Sequence, residues 1–328
     1  MRHRWAISFT FLAPLVALGA DREAVATVAP QSTSALISRP KGHLQDVTSF
    51  QIVDLRRGVI GEQFDVELGG ITSIAILPNN AQVVAGSESG QLAILNASSG
   101  GSVRAWQAHD GRVLHVDARF GKDYQRRTAI VTSAGADGLV RTWVGGVDRM
   151  IAEVDLGMTP QKVDVGAVDF IVALSDRGDL AAFESRTGRR VGPLPEMDGK
   201  WIDFASARDR LLIVAARADG TVYTFTGSRF TPQAIGAGSW GNVSRMAVLP
   251  KGQAMLLQRS DLQNVMVDLR TGVEVDRWRD ESPALAILPT PDAKALLFVQ
   301  PEGFEVVAPR REDAQNSQPD AEYEIPIF

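Results

Sequence analysis

Ile71-Thr72-Ser73-Ile74-Ala75-Ile76-Leu77-Pro78 returns far down the chain as Val243-Ser244-Arg245-Met246-Ala247-Val248-Leu249-Pro250, and again as Pro283-Ala284-Leu285-Ala286-Ile287-Leu288-Pro289. Each copy is an aliphatic run that ends in Leu-Pro, followed by a polar turn and a second apolar run. Short runs bounded by Gly, Pro, Asn and Asp read as strands joined by tight turns. Weaker copies start near Val113, Lys162 and Trp201, so that successive starts lie 39–49 residues apart. The turn glycines Gly90, Gly138, Gly178 and Gly220, with Gly303 later, keep the same beat. A third landmark, Ile52-Val53-Asp54-Leu55-Arg56-Arg57-Gly58-Val59, matches Met266-Val267-Asp268-Leu269-Arg270-Thr271-Gly272-Val273. Helix-period stretches are almost absent.

A repeated unit of roughly 40–45 residues cannot bury its apolar faces alone, and stacking the units around an axis solves that. The sequence therefore predicts an all-β fold, a single β-propeller of four-stranded blades over residues 49–309. Five full units run from Ile71 to about Glu281. The piece after them offers three strands, and the piece before them two, Gln51–Leu55 and Gln63–Leu68. N-terminal strands completing a C-terminal blade would close the ring and hide its sheet edges. Counted that way the blades number six; if the preceding segment and Tyr323–Phe328 add strands, they number seven.

One unit is more specific. Trp106-Gln107-Ala108-His109-Asp110-Gly111-Arg112-Val113 is followed by Ala129-Ile130-Val131-Thr132-Ser133-Ala134-Gly135-Ala136-Asp137-Gly138-Leu139-Val140-Arg141-Thr142-Trp143. This resembles a WD-repeat unit. The resemblance implies one hydrogen-bond network through His109, Ser133, Asp137 and Trp143, with a structural rather than a catalytic role. Buried indole N–H and carboxylate groups both need partners, and a closed polar chain supplies them. The other units carry Leu95, Phe183, Phe225 and Val267 at the Trp place and lack the loop His, although Asp219 keeps the turn acid in one. Divergent repeats of this kind also resemble the quinoprotein-like and TolB-like propellers of the bacterial envelope, so the subfamily stays open.

The flanks read differently. Arg2 and Arg4 precede an apolar stretch from Trp5 to Leu18, and small residues follow at Ala17-Leu18-Gly19 and Ala24-Val25-Ala26. That is the pattern of a secretory signal peptide over residues 1–20. The apolar run is shorter than the ~20 residues that span a bilayer, and the membrane is approached at most through an uncleaved signal. Residues 21–48 read as a polar linker or arm, and residues 310–328 as a polar tail. The expected location is periplasmic or secreted.

Composition narrows the function. The 328 residues are 45% apolar and 22% charged, with a net charge of −5, which is globular and disfavours a nucleic-acid partner. Cysteine is absent, which excludes disulfides, thiolate metal sites and a Cys nucleophile. Gly86-Ser87-Glu88-Ser89-Gly90 has Glu88 where a nucleophile elbow needs Ser, and reads as a turn. Asp164, Asp169, Asp176 and Asp179 lack the spacing of a calcium loop. His115, on a strand near the expected channel, is read as packed rather than as a ligand. No catalytic residue, cofactor or metal ligand is assigned.

Large aromatics and Arg anchor interfaces, and Trp106, Arg112, Trp201, Trp240 and Trp278 fall near strand ends or inter-blade loops. They are the candidates for partner binding. The expectation is an exported, non-enzymatic scaffold that binds protein partners in the cell envelope. The alternative is a small-molecule enzyme or sensor of the quinoprotein-like or lactonase-like type, which acids and His converging at one channel mouth would favour.

Overall fold

Antiparallel strands joined by tight turns account for almost every residue of the computed structural model, which describes residues 7–10, 25–28, 34–40, 47–55, 59–68, 70–120, 129–144, 148–164, 170–184, 187–191, 200–207, 212–226, 230–236, 240–301 and 303–307. They form seven sheets in a ring, and in all but the last the strands run as a meander in sequence order from the inside outward. Blade 1 is Val25–Val28, Ser34–Pro40, Val47–Asp54 and Val59–Glu67. Blade 2 is Ile71–Ile76, Gln82–Ser87, Gln91–Asn96 and Ser102–Gln107. Blade 3 is Val113–Phe120, Ala129–Gly135, Leu139–Val144 and Met150–Asp155. Blade 4 has Pro160–Asp164, Phe170–Ser175 and Leu180–Glu184, with Arg190 bridged to Phe183 outside them. Blade 5 is Trp201–Ser206, Leu212–Arg217, Val222–Thr226 and Thr231–Ala234. Blade 6 is Val243–Val248, Ala254–Arg259, Gln263–Asp268 and Glu274–Arg279. Blade 7 is Ala286–Pro289, Leu296–Val299 and Gly303–Val307, with Ile7–Thr10 paired outside as its fourth strand.

Seven is the larger of the two counts the sequence allows. The residues that tip it are Val25–Val28 and Ser34–Pro40, inside the segment read as a polar arm. Ala35, Leu36 and Ile37 there are buried, and their hydroxyl-bearing neighbours made the stretch look irregular. Gln51–Leu55 and Gln63–Leu68 consequently lie in blade 1 and not in a C-terminal blade. Ile7–Thr10 closes the ring instead, from within the residues read as a leader. The match between Ile52–Val59 and Met266–Val273 is a real equivalence, since both join third to fourth strands.

Among the described residues the apolar core divides into seven clusters, each in one seam between consecutive blades. Ala75, Leu77, Leu92 and Ile94 meet Val113, Val116 and Trp143 between blades 2 and 3. The last seam, Ala35, Ile37 and Val53 against Leu297, Val299 and Phe304, joins blade 7 to blade 1. Arg39 reinforces it, donating to the carbonyls of Pro301 (2.9 Å), Gln300 (3.0 Å) and Gly303 (2.6 Å).

Turn geometry shows why the glycines keep time. Gly90, Gly138, Gly178 and Gly220 end the turns between second and third strands with φ of 79–88°, a conformation that favours glycine. Blade 6 breaks the glycine beat but not the geometry, because Leu262 takes that place at φ 67°. The Leu-Pro landmark also needs adjusting in blade 7. Leu77 and Leu249 open equivalent turns, and there Thr290-Pro291 plays their part, two residues after Leu288-Pro289.

Candidate partner-binding face

In a four-stranded meander, the turn between strands two and three and the connector to the next blade emerge at the same end. One face of the ring therefore gathers all of them. Backbone bonds lock the two sets together in a repeating pattern. Around the blade 2 turn, Glu88 N–H donates to Gly70 O (2.8 Å) and Gly90 O accepts from Ala108 N–H (3.0 Å). The same pair recurs around the next four turns: Ala136 to Arg112 and Leu156 to Gly138; Asp176 to Thr159 and Trp201 to Gly178; Ala218 to Lys200 and Trp240 to Gly220; Ser260 to Asn242 and Asp280 to Leu262. The left-handed residue points its carbonyl at the outgoing connector, and Leu262 has to adopt that conformation to accept from Asp280.

The connector from blade 2 to blade 3 is held most completely. His109 is 1% exposed. Its Nδ1 lies 3.0 Å from Asp137 Oδ1, its Nε2 lies 2.8 Å from Ser133 Oγ, and Trp143 Nε1–H donates to the same Oγ at 3.0 Å. A carboxylate only accepts, so the proton sits on Nδ1 and Nε2 accepts from Ser133. Burial pushes the His109 pKa below its ordinary 6.5, and the pull of Asp137 the other way does not offset it. Burial alone would raise the Asp137 carboxyl, but the His109 ring and the Leu139 and Asp110 amides outweigh it and hold the group below its ordinary 3.8. The network expected from the resemblance is thus present and structural. Arg141 extends it, donating to Asp137 Oδ2 (3.0 Å), Ala108 O (2.7 Å) and Glu153 Oε2 (2.7 Å). Nothing in the sequence marks Arg141 for this role, because a strand Arg four residues after an Asp looks like a surface pair. Gln107 Nε2 adds bonds to Ser89 O and His109 O, both 2.8 Å. On this frame Asp110 and Arg112 stand in solvent.

Trp201 and Trp240 belong by their backbone to connectors of the same face, but the side chains of the candidate tryptophans pack into seams. Trp201 is 6% exposed and packs edge-on to Tyr223 and Phe225; Trp278 is 9% exposed, packs on Phe298 and donates to Asp280 Oδ1 at 3.1 Å. Trp106 packs edge-on to Trp143, with its buried Nε1 lacking an acceptor among the described residues. Trp240, half-buried, donates to Ile235 O at 2.9 Å. All four pack in seams between blades.

A second polar chain escaped the sequence. Gln258 and Asn264, both essentially unexposed, face each other on neighbouring strands of blade 6. Gln258 Nε2 donates to Asn264 Oδ1 (3.2 Å) and Asp280 Oδ2 (3.1 Å), while its Oε1 accepts from Ala284 N–H (2.9 Å).

The innermost strands line the channel with paired charge. Lys162 Nζ donates to Asp203 Oδ1 and Phe204 O, both at 2.6 Å, and Ser206 Oγ donates to Asp164 Oδ2 at 2.6 Å. These bonds tie blade 4 to blade 5. His115 lies on the inner strand of blade 3, half-buried. Among the described residues no group of three or more His, Asp or Glu is placed to hold a metal ion; Asp169 and His43 lie outside them. The wall is mixed in character, with salt-bridged and hydrogen-bonded side chains.

No protein-family model matches the chain. Two curated relatives do, the WD repeat-containing protein 81 of Rattus norvegicus and that of Homo sapiens, each 29% identical over 102 residues. The match covers 29% of this chain and 5% of each relative's length. Together with the seven-bladed ring, these observations decide the kind of protein. The chain is a WD-repeat-like propeller. Among the described residues only blade 3 keeps the His-Ser-Asp-Trp chain.

Proposed function

We propose that the propeller is an exported, non-enzymatic scaffold that binds protein partners through the connector face, with Arg112 as an anchor. The observation that carries this reading is the connector at residues 108–112, bonded on every side to the neighbouring turns, with Asp110 and Arg112 projecting from it. A loop already held in one conformation loses little entropy on binding. Exposed acids at Glu88, Asp110, Asp176, Asp219 and Asp261 outnumber the exposed bases Arg112, Arg177 and Lys200 on that face. This mixed charge suits a partner that meets Arg112 with an acidic group and the surrounding acids with basic ones, an association that would weaken with salt. Export rests on Arg2, Arg4 and the apolar stretch from Trp5 to Leu18.

Two experiments test the reading. Residues 1–30 fused to a reporter active only outside the cytoplasm should yield a processed, active product; a cytoplasmic one overturns export. Affinity purification from the envelope fraction should recover a protein that Arg112→Glu loses while remaining folded by circular dichroism. Turnover of a lactone, or quinone-dependent alcohol oxidation, by the purified protein would overturn the scaffold reading.

A further inference from the structure

The fourth strand of blade 7 comes from residues that the sequence also marks for removal. Ile7–Thr10 pairs antiparallel with Gly303–Val307 in the register Ile7↔Val306 to Thr10↔Gly303. A cut after Gly19, the small-residue site that leaves the Val25–Val28 strand of blade 1 whole, takes Ile7–Thr10 away. Blade 7 would then end at Gly303–Val307, with a row of bare backbone donors and acceptors along an apolar strand. Such an edge invites pairing with another strand.

We propose that the outer edge of Gly303–Val307 accepts two segments of this chain in turn: Ile7–Thr10 while residues 1–20 are attached, and Tyr323–Phe328 once they are cleaved. The exchange rests on the export reading above. Over Tyr323–Ile327 the apolar Tyr323, Ile325 and Ile327 alternate with Glu324 and Pro326, the period by which Ile7 and Phe9 alternate with Ser8 and Thr10, and Phe328 departs from it. In an edge strand every second residue turns its backbone toward the sheet and the others toward solvent. Pro326 has no N–H and is tolerated where that group faces solvent. Tyr323, Ile325 and Ile327 are then the residues whose backbone meets Gly303–Val307. The connecting segment Ala308–Glu322 is 15 polar-rich residues, which can extend to about 50 Å. A return by such a loop delivers the strand antiparallel, the sense in which Ile7–Thr10 already binds.

The absence of cysteine makes paired substitutions clean reporters. Glu305→Cys would be combined in turn with Tyr323→Cys, Glu324→Cys, Ile325→Cys and Ile327→Cys, in the full chain and in a chain starting at Asp21. Mild oxidation at low protein concentration should form an intramolecular disulfide in one register of the shorter chain, and that product should be lost in the full chain. Deleting residues 323–328 should lower Tm of the shorter chain by about 3 °C or more and leave the full chain unchanged. No intramolecular disulfide at any position, equal yields in both chains, or a mainly dimeric product would overturn the proposal. N-terminal sequencing of the exported protein separates the two layers. Retention of residues 1–20 overturns the exchange in the cell together with the cleavage it rests on. A cleaved N-terminus without the disulfide overturns the exchange alone.

Discussion

In blade 3 the polar chain starts from the connector at His109, passes through Ser133 and ends on Trp143 of the third strand. In blade 6 the tryptophan is Trp278 on the fourth strand, and its chain runs through Asp280 to Gln258 and Asn264. The faces differ too. Ser133 pairs with Arg141, but Gln258 occupies the equivalent of the next position, Ala134. A shift of one residue along a strand moves a side chain to the opposite face. The blade 3 chain therefore seals the seam toward blade 2, and the blade 6 chain the seam toward blade 7. The lesson is that more than one set of positions can join a seam's buried polar groups into a chain, although Trp106 Nε1 and Asn264 Nδ2 stay without an acceptor among the described residues.

The comparison breaks most sharply at Gln258. Gln258→Leu removes the acceptor for Ala284 N–H and the donor to Asp280 and Asn264, all in a buried seam. A loss of about 3 kcal/mol is expected in urea denaturation. A loss below about 1 kcal/mol would mean that the blade 6 chain is incidental. Asp137→Ala comes next, at roughly 1–3 kcal/mol, because Asp137 lies nearer solvent than Gln258. The two losses should add within about 0.5 kcal/mol, since the chains occupy separate seams; clear non-additivity would show the ring coupling them.

Acid separates the two blades by a different route. His109 has a folded pKa below its unfolded value of 6.5. As pH falls through 6.5, the unfolded chain takes up a proton that the folded protein resists, so stability declines with falling pH. The depressed Asp137 acts in the same direction below 3.8. His109→Asn should flatten the decline that begins near pH 6.5, whereas Gln258→Leu should lower stability and leave the slope unchanged. An unaltered slope in His109→Asn would contradict the buried neutral imidazole.

The smallest effect concerns the turns. Gly138→Leu forces a branched residue to φ 79°, where its Cβ would also lie 3.0 Å from Met158 O, and should cost about 1–2 kcal/mol. Leu262→Gly relieves similar strain but loses a half-buried side chain and gains unfolded-state entropy, for a net change under about 1 kcal/mol. Both changes would be read as Tm shifts. Equal costs in the two blades would mean that the turns are not equivalent.

These contrasts mark what the sequence could reveal. The period, the five central units, the blade 3 chain and the third-to-fourth-strand landmark were all legible, because each rests on local residue types at fixed spacing. Blade 1 was half hidden: Ser34, Ser38 and Pro40 around Ala35-Leu36-Ile37 look like linker composition until the ring buries them. Leu262 concealed a turn, since backbone geometry demanded by a distant Asp280 N–H leaves no glycine behind. The Gln258 chain was invisible because its members pair across strands and come from three separate segments. The seam packing of the tryptophans was not legible either. Large aromatics mark both interfaces and seams, and only burial separates the two.

The central claim is that the connector face binds a protein partner through side chains the fold itself does not need. Arg112→Glu tests it most directly. Wild type and variant would be compared for thermal unfolding and for recovery of the co-purified partner at low and high salt. The account predicts stability within about 0.5 kcal/mol of wild type, loss of the partner at all salt concentrations, and weaker wild-type recovery as salt rises. Full partner recovery by a folded Arg112→Glu protein would contradict it.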